Sequence, residues 1–198
     1  MRKLICLGDS ITGSTNLALY PKWSDILQAI FESAAKDKEI TVLNRGIAGN
    51  TTRQVLDRLE DDVIEENPDL VTLLIGGNDR GEDSGIDPEE TRKNIDEIIG
   101  RIEKTGAKIL LLNYHLIIHP EYDNQVWKHL IKSNGIIRNV AHEKGLPLLE
   151  MDKPMQDALE YRTHEELVFL TDGVHLHPGG EMVYAREVYN KLSELGWL

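Results

Sequence analysis

Ser10 stands in "LICLGDSITG", where a short apolar run stops abruptly at Gly8, Asp9 and Ser10. Taken alone this is a turn, because Gly, Asp and Ser are the usual turn residues and the Asp and Ser side chains bond to nearby backbone. A serine held at the rim of a sheet is also a nucleophile, provided a base, an orienting acid and donors for a developing negative charge lie within reach. Two further segments offer such donors: "NRGIAGNTT" (44–52) and "GGND" (76–79). Glycine leaves its amide approachable, so Gly49 can present an N–H. Asn78 supplies a neutral side-chain donor. A serine beside a glycine amide and an asparagine amide is what acyl transfer requires, and each segment by itself is an ordinary loop.

Seven histidines are available as base. His129 and His142 fall inside a predicted helix and read as surface or core fillers, and His164 in "YRTHEEL" reads as a helix start. His115 and His119 follow the fourth predicted strand, a position open to a substrate-lining role that nothing else in the sequence supports. The stretch "TDGVHLHPGG" (171–180) differs: it is a non-helical turn with Asp172 three residues before His175. That spacing can bring the carboxylate against Nδ1–H of His175, fixing the tautomer and leaving Nε2 free to accept a proton. His177 is read as structural.

Positioning these groups falls to five short apolar runs: "LICL" (4–7), "ITVL" (40–43), "LVTLLI" (70–75), "KILLLN" (108–113) and "LPLL" (146–149). Each is too short for a helix and none alternates, the pattern of strands covered on both faces. Between them Trp23, Ile26, Leu27, Ile30 and Ala34 keep helical spacing, as do Ile95, Ile98, Ile99 and Ile102. Thr51 or Thr52 can cap a helix carrying Leu56, Leu59 and Val63, and Asp87-Pro88 reads as a cap followed by proline at the first helical position. Further helices are expected over about 124–144 and from near Pro178, the last carrying Met182, Ala185, Tyr189 and Leu192. Strand–helix alternation means a parallel sheet with right-handed crossovers and helices on both faces. Such sheets bind ligands beyond the carboxyl ends of their strands, which is where Ser10, Gly49 and Asn78 fall.

With 198 residues, one domain spanning 1–198 is the expectation. The net charge of −12 argues against nucleic acid or an anionic membrane as partner. No run approaches the length of a membrane span, and "MRKLICLG" is too short in its apolar part for a signal peptide, so a cytoplasmic location is expected. Cys6, the single cysteine, reads as a small buried hydrophobe.

The four segments together resemble the SGNH hydrolases, the GDSL esterase/lipase superfamily: "GDSI" with Ser10, "NRGIAGNTT" with Gly49, "GGND" with Asn78 and "DGVH" with Asp172 and His175 run in that family's order over residues 8 to 178. Ile11 replaces the family's leucine conservatively. The resemblance implies a flavodoxin-like three-layer α/β/α sandwich with a five-stranded parallel sheet, and a cofactor-free serine hydrolase acting on a small-molecule ester. It implies Ser10 as nucleophile, His175 as general base, Asp172 as its orienting acid, and an oxyanion hole of the Ser10 amide, the Gly49 amide and the Asn78 side chain. On that resemblance Asp9 shapes the turn. Small-acyl or carbohydrate O-acyl esters are favoured; lysophospholipase or thioesterase activity on longer chains is the alternative. Outside this class stand a metal-dependent phosphoesterase using Asp9, Asn78, His175 and His177, and a non-catalytic binding module. Tyr20 and Trp23, and the aromatics Tyr114, Tyr122 and Trp127, are candidates for lining the rim, with ordinary packing the commoner role of such residues.

Overall fold

In the computed structural model of the chain, residues 2–13, 20–34, 39–79, 84–116, 125–160 and 174–198 are described. Five strands form one parallel sheet: β1 (Arg2–Gly8), β2 (Ile40–Gly46), β3 (Leu70–Leu74), β4 (Lys108–Leu112) and β5 (Leu148–Leu149), in the order β2-β1-β3-β4-β5. β1 and β3 are central and almost wholly buried, which is why their sequences are unbroken apolar runs. β5 is only two residues long, so half of "LPLL" is loop.

Among the described residues, six helices flank the sheet: α1 (Trp23–Ala34), α2 (Thr52–Leu59, continued by a π-helical turn Glu60–Ile64), α3 (Pro88–Glu103), α4 (Gln125–Lys144), α5 (Asp152–Glu160) and α6 (Pro178–Glu194). α1 packs on α6, while α2, α3 and α4 pack side by side. The caps are local chemistry. Thr51 closes a capping box with Gln54, and Asp87 accepts the Glu90 amide at 2.8 Å with Pro88 in the first turn.

Two expectations need correction. α5 lies where no helix was read. On α6, Ala185 and Leu192 face the core as expected, joined by Val183, Tyr184 and Val188, whereas Met182 is exposed and Tyr189 half-buried. Among the described residues, no helix is long and apolar enough to cross a membrane. Cys6 is fully buried in β1, and that burial pushes its thiol up to about 12.

Register sets the height of the rim. Gly8 pairs with Gly46 on one side and with Leu74 on the other, so β1, β2 and β3 end level. The turn after β1 lies tight against the end of β2: a Cβ on Gly13 would fall 2.4 Å from the Gly46 carbonyl oxygen. Both positions therefore demand glycine.

Candidate active site

The turn after β1 is organised by Asp9. Its Oδ1 accepts the Ile11 amide at 3.0 Å, and its backbone carbonyl accepts the amides of Thr12 and Gly13. Oδ2 accepts from the Tyr114 hydroxyl at 2.5 Å and lies 3.5 Å from the Asn78 side-chain nitrogen. Both oxygens of Asp9 are thus committed to the protein. Burial raises its carboxyl to about 6, against the opposing pull of the Tyr114 hydroxyl and the Ile11 amide.

Ser10 itself is half-buried, and His175 meets it from the loop preceding α6. Nε2 of His175 lies 2.9 Å from Oγ of Ser10. That is hydrogen-bond distance between a candidate nucleophile and a candidate base. Asp172 lies outside the described residues.

The candidate donors come from the neighbouring strand ends. Gly49 is exposed and takes a left-handed backbone conformation, φ +77°. Asn78 Nδ2 donates to the Asn50 carbonyl at 3.1 Å, which joins the loop after β3 to the loop after β2. Asp79, next in sequence, continues that link. It is buried, accepts the Thr52 amide and hydroxyl at the start of α2, and accepts the Thr91 hydroxyl of α3 at 2.9 Å. A carboxylate at a helix N-terminus satisfies otherwise orphaned donors.

Four supporting residues were not read from the sequence. Asp79 is the first. Arg58 on α2 donates to the carbonyls of Gly8 and Arg45, at 3.0 and 2.9 Å, and to the Asn50 side chain at 2.8 Å. It ties the ends of β1 and β2 to the glycine-bearing loop. Tyr114 accepts the Gly77 amide at 2.9 Å while donating to Asp9. Its ring sits so close that a Cβ on Gly77 would fall 2.7 Å from it. Glu181 on α6 accepts the Trp23 amide at 2.8 Å and pairs with the buried Lys22 at 3.4 Å. Burial raises Glu181 to about 7 in spite of Lys22. The one sequence signal among these was Asp79, an acid directly beside Asn78.

The rim aromatics divide. Tyr114 and Trp127 are buried, and Trp23 is fully buried with its indole N–H on the Ile11 carbonyl at 3.1 Å. They are therefore packing residues, the commoner of the two roles open to such aromatics. Tyr122 lies outside the described residues. Tyr20 is 48% exposed, with its ring centroid 6.4 Å from that of His177. His177 is the residue before the first turn of α6.

Comparison with known proteins places this architecture. An arylesterase of Vibrio mimicus is 30% identical over 121 residues, covering 61% of this chain and 57% of the esterase. Esterase TesA of Pseudomonas aeruginosa is 33% identical over 113 residues, covering 57% of this chain and 54% of that protein. These matches thus span about half the length of those two relatives. An acetylxylan esterase of Geobacillus stearothermophilus is 25% identical over 98% of this chain and 94% of its own length. A solved structure of that acetylxylan esterase superposes with a TM-score of 0.82 at 23% identity, covering 96% of this chain and 94% of that one. A lipase/acylhydrolase from Enterococcus faecalis gives 0.81 at 24% identity, covering 98% and 97%. These two likenesses establish the shared fold. Residues 6–182 match the GDSL-like Lipase/Acylhydrolase family, so the chain belongs to that family.

Proposed function

We propose that the chain, as a single domain over residues 1–198, is a serine-dependent carboxylic ester hydrolase. Ser10 is the nucleophile, His175 the general base and Asp172 the acid that orients it. The observation that carries this reading is the 2.9 Å contact between His175 Nε2 and Ser10 Oγ at the carboxyl ends of the central strands. Family membership supports it, as do relatives named as esterases. Solved structures of the acetylxylan esterase include catalytic mutants at a serine, an aspartate and a histidine, which is the same trio of residue types.

Nε2 takes the Ser10 proton as Oγ attacks the acyl carbon, forming a C–O bond while the carbonyl electron pair moves to oxygen. The Ser10 amide, the Gly49 amide and the Asn78 side chain are the donors for that oxyanion. Collapse of the intermediate breaks the bond to the alcohol, which leaves with the proton from His175. Water, deprotonated by His175, then cleaves the acyl-serine.

For substrate, small-acyl or carbohydrate O-acyl esters are favoured, following the acetylxylan esterase that aligns over nearly the whole chain. A net charge of −12 disfavours a strongly anionic substrate. The test pairs a p-nitrophenyl acyl chain-length series with acetylated xylo-oligosaccharides. Turnover highest on acetyl esters supports the reading; preference for long acyl chains replaces it with a lysophospholipase or thioesterase. Fluorophosphonate labelling at Ser10 that survives chelator sets it apart from a metal-dependent phosphoesterase, and turnover sets it apart from a binding module.

A further inference from the structure

His115, just beyond the end of β4, is buried to 2% exposure. Its Nε2 lies 2.9 Å from the backbone carbonyl of Val174, the residue immediately before His175. Its Nδ1 lies 2.7 Å from the hydroxyl of Tyr184, which is fully buried on α6. The two rings also meet edge to face, 5.7 Å apart at 87°.

The chemistry of these two partners fixes the direction of both bonds in the neutral ring. A carbonyl oxygen can only accept, so Nε2 of His115 carries the hydrogen and donates to Val174. In a neutral imidazole Nδ1 is then the acceptor, and Tyr184 must donate to it. Burial holds the Tyr184 phenol well above its ordinary range, so it keeps that hydrogen. Tyr184 therefore selects the tautomer of His115, and His115 in turn pins the backbone next to the candidate base. The relay runs from α6 through the residues after β4 to the segment just before α6.

We propose that His115 is a positioning residue for His175, set in its working tautomer by Tyr184. The inference rests on the serine hydrolase reading, in which His175 must stay within hydrogen-bond reach of Ser10. Displacement of a reacting group by about 1 Å costs on the order of a hundredfold in rate. Loss of the relay is thus read in kcat, while KM for a small ester stays near its starting value because the relay acts on the backbone beside His175.

The experiment measures kcat and KM on p-nitrophenyl acetate, with kcat normalised to sites titrated by fluorophosphonate so that unfolded protein drops out. The variants are His115→Phe, His115→Gln and Tyr184→Phe. Phenylalanine at 115 should lower kcat per titrated site about tenfold to a hundredfold with KM changed less than about threefold. Glutamine, which offers one donor and one acceptor, should restore part of it. Tyr184→Phe deletes a single oxygen and should reproduce the kcat loss; in the double variant with His115→Phe the losses should not add. Wild-type kcat per site in Tyr184→Phe, with or without lower stability, overturns the inference and leaves the hydrolase reading standing. An unaltered protein that neither labels at Ser10 nor turns over overturns both.

Discussion

His175 and Ser10 lie 165 positions apart in the chain, and Nε2 of one stands 2.9 Å from Oγ of the other. The sheet brings Ser10 to its rim through the level ends of β1, β2 and β3, and the loop leading into α6 brings His175 over it. In the proposed mechanism, Ser10→Ala abolishes fluorophosphonate labelling and esterase turnover together. His175→Ala should leave only residual turnover, whereas His177→Ala should retain most of it. Steady-state rates on a chromogenic acetate ester check the pair, and the reverse ranking would transfer the base to His177.

Asn78 offers a narrower test of the oxyanion donors. Removing one such donor costs about 3 kcal/mol of transition-state stabilisation. Asn78→Ala should therefore lower kcat about a hundredfold or more. The same side chain also donates to the Asn50 carbonyl, so the fold of the variant needs checking by circular dichroism. A folded variant with an unchanged rate would remove Asn78 from the reacting centre.

Tyr114→Phe probes the joint between the first and third strand ends. The hydroxyl it loses serves the Gly77 amide and Asp9 Oδ2 at once. Leaving buried groups unpaired costs about 1–3 kcal/mol, and a urea titration should show the midpoint moving down accordingly. Asp9, deprived of a donor that favours its ionised form, should titrate higher than about 6. An unshifted midpoint would mean that water replaces the phenol.

Glu181 gives the fold a pH dependence of defined sign. An acid whose folded-state pKa is raised binds its proton more tightly when folded. Its stabilising contribution is complete below the ordinary value of 4.5 and is lost as pH climbs through about 7. Glu181→Gln keeps an acceptor for the Trp23 amide and does not ionise. Relative to the wild type it should gain stability between pH 4.5 and 7, by on the order of 3 kcal/mol at most. Denaturation at pH 5 and pH 8 measures the difference; parallel curves would show that Lys22 holds Glu181 ionised throughout.

Arg58→Met tests how far the rim depends on one guanidinium. Four acceptors lose a charged donor: the Gly8 and Arg45 carbonyls at the ends of β1 and β2, the Asn50 side chain and the Asp62 carboxylate. A cost of about 2–4 kcal/mol is expected. Thermal melts of the two proteins under the same buffer settle it.

The sheet was legible because a parallel strand buried on both faces leaves an unbroken apolar run, as in "LICL" and "LVTLLI". The register of Gly8 with Gly46 and Leu74 accounts for motifs far apart in the chain meeting at one rim. α5 escaped because Pro154 sits within its first turn, which hides the helical spacing of Met151, Met155, Ala158 and Leu159. Met182 was misplaced because an apolar residue at helical spacing need not face the core. The supporting polar residues were illegible for a different reason. Arg58, Tyr114 and Glu181 are defined by partners 50, 105 and 158 positions away, and side-chain type alone names no partner at that range.

Cys6, the chain's single thiol, sits in β1 four residues before Ser10, sealed from solvent. Alkylation there requires the central strand to be uncovered, because a buried thiol raised to about 12 does not react in place. Iodoacetamide uptake thus clocks the opening of the scaffold, and fluorophosphonate uptake gauges the site. Measured on one sample, the two covalent marks distinguish a variant with damaged chemistry from one that has merely come apart.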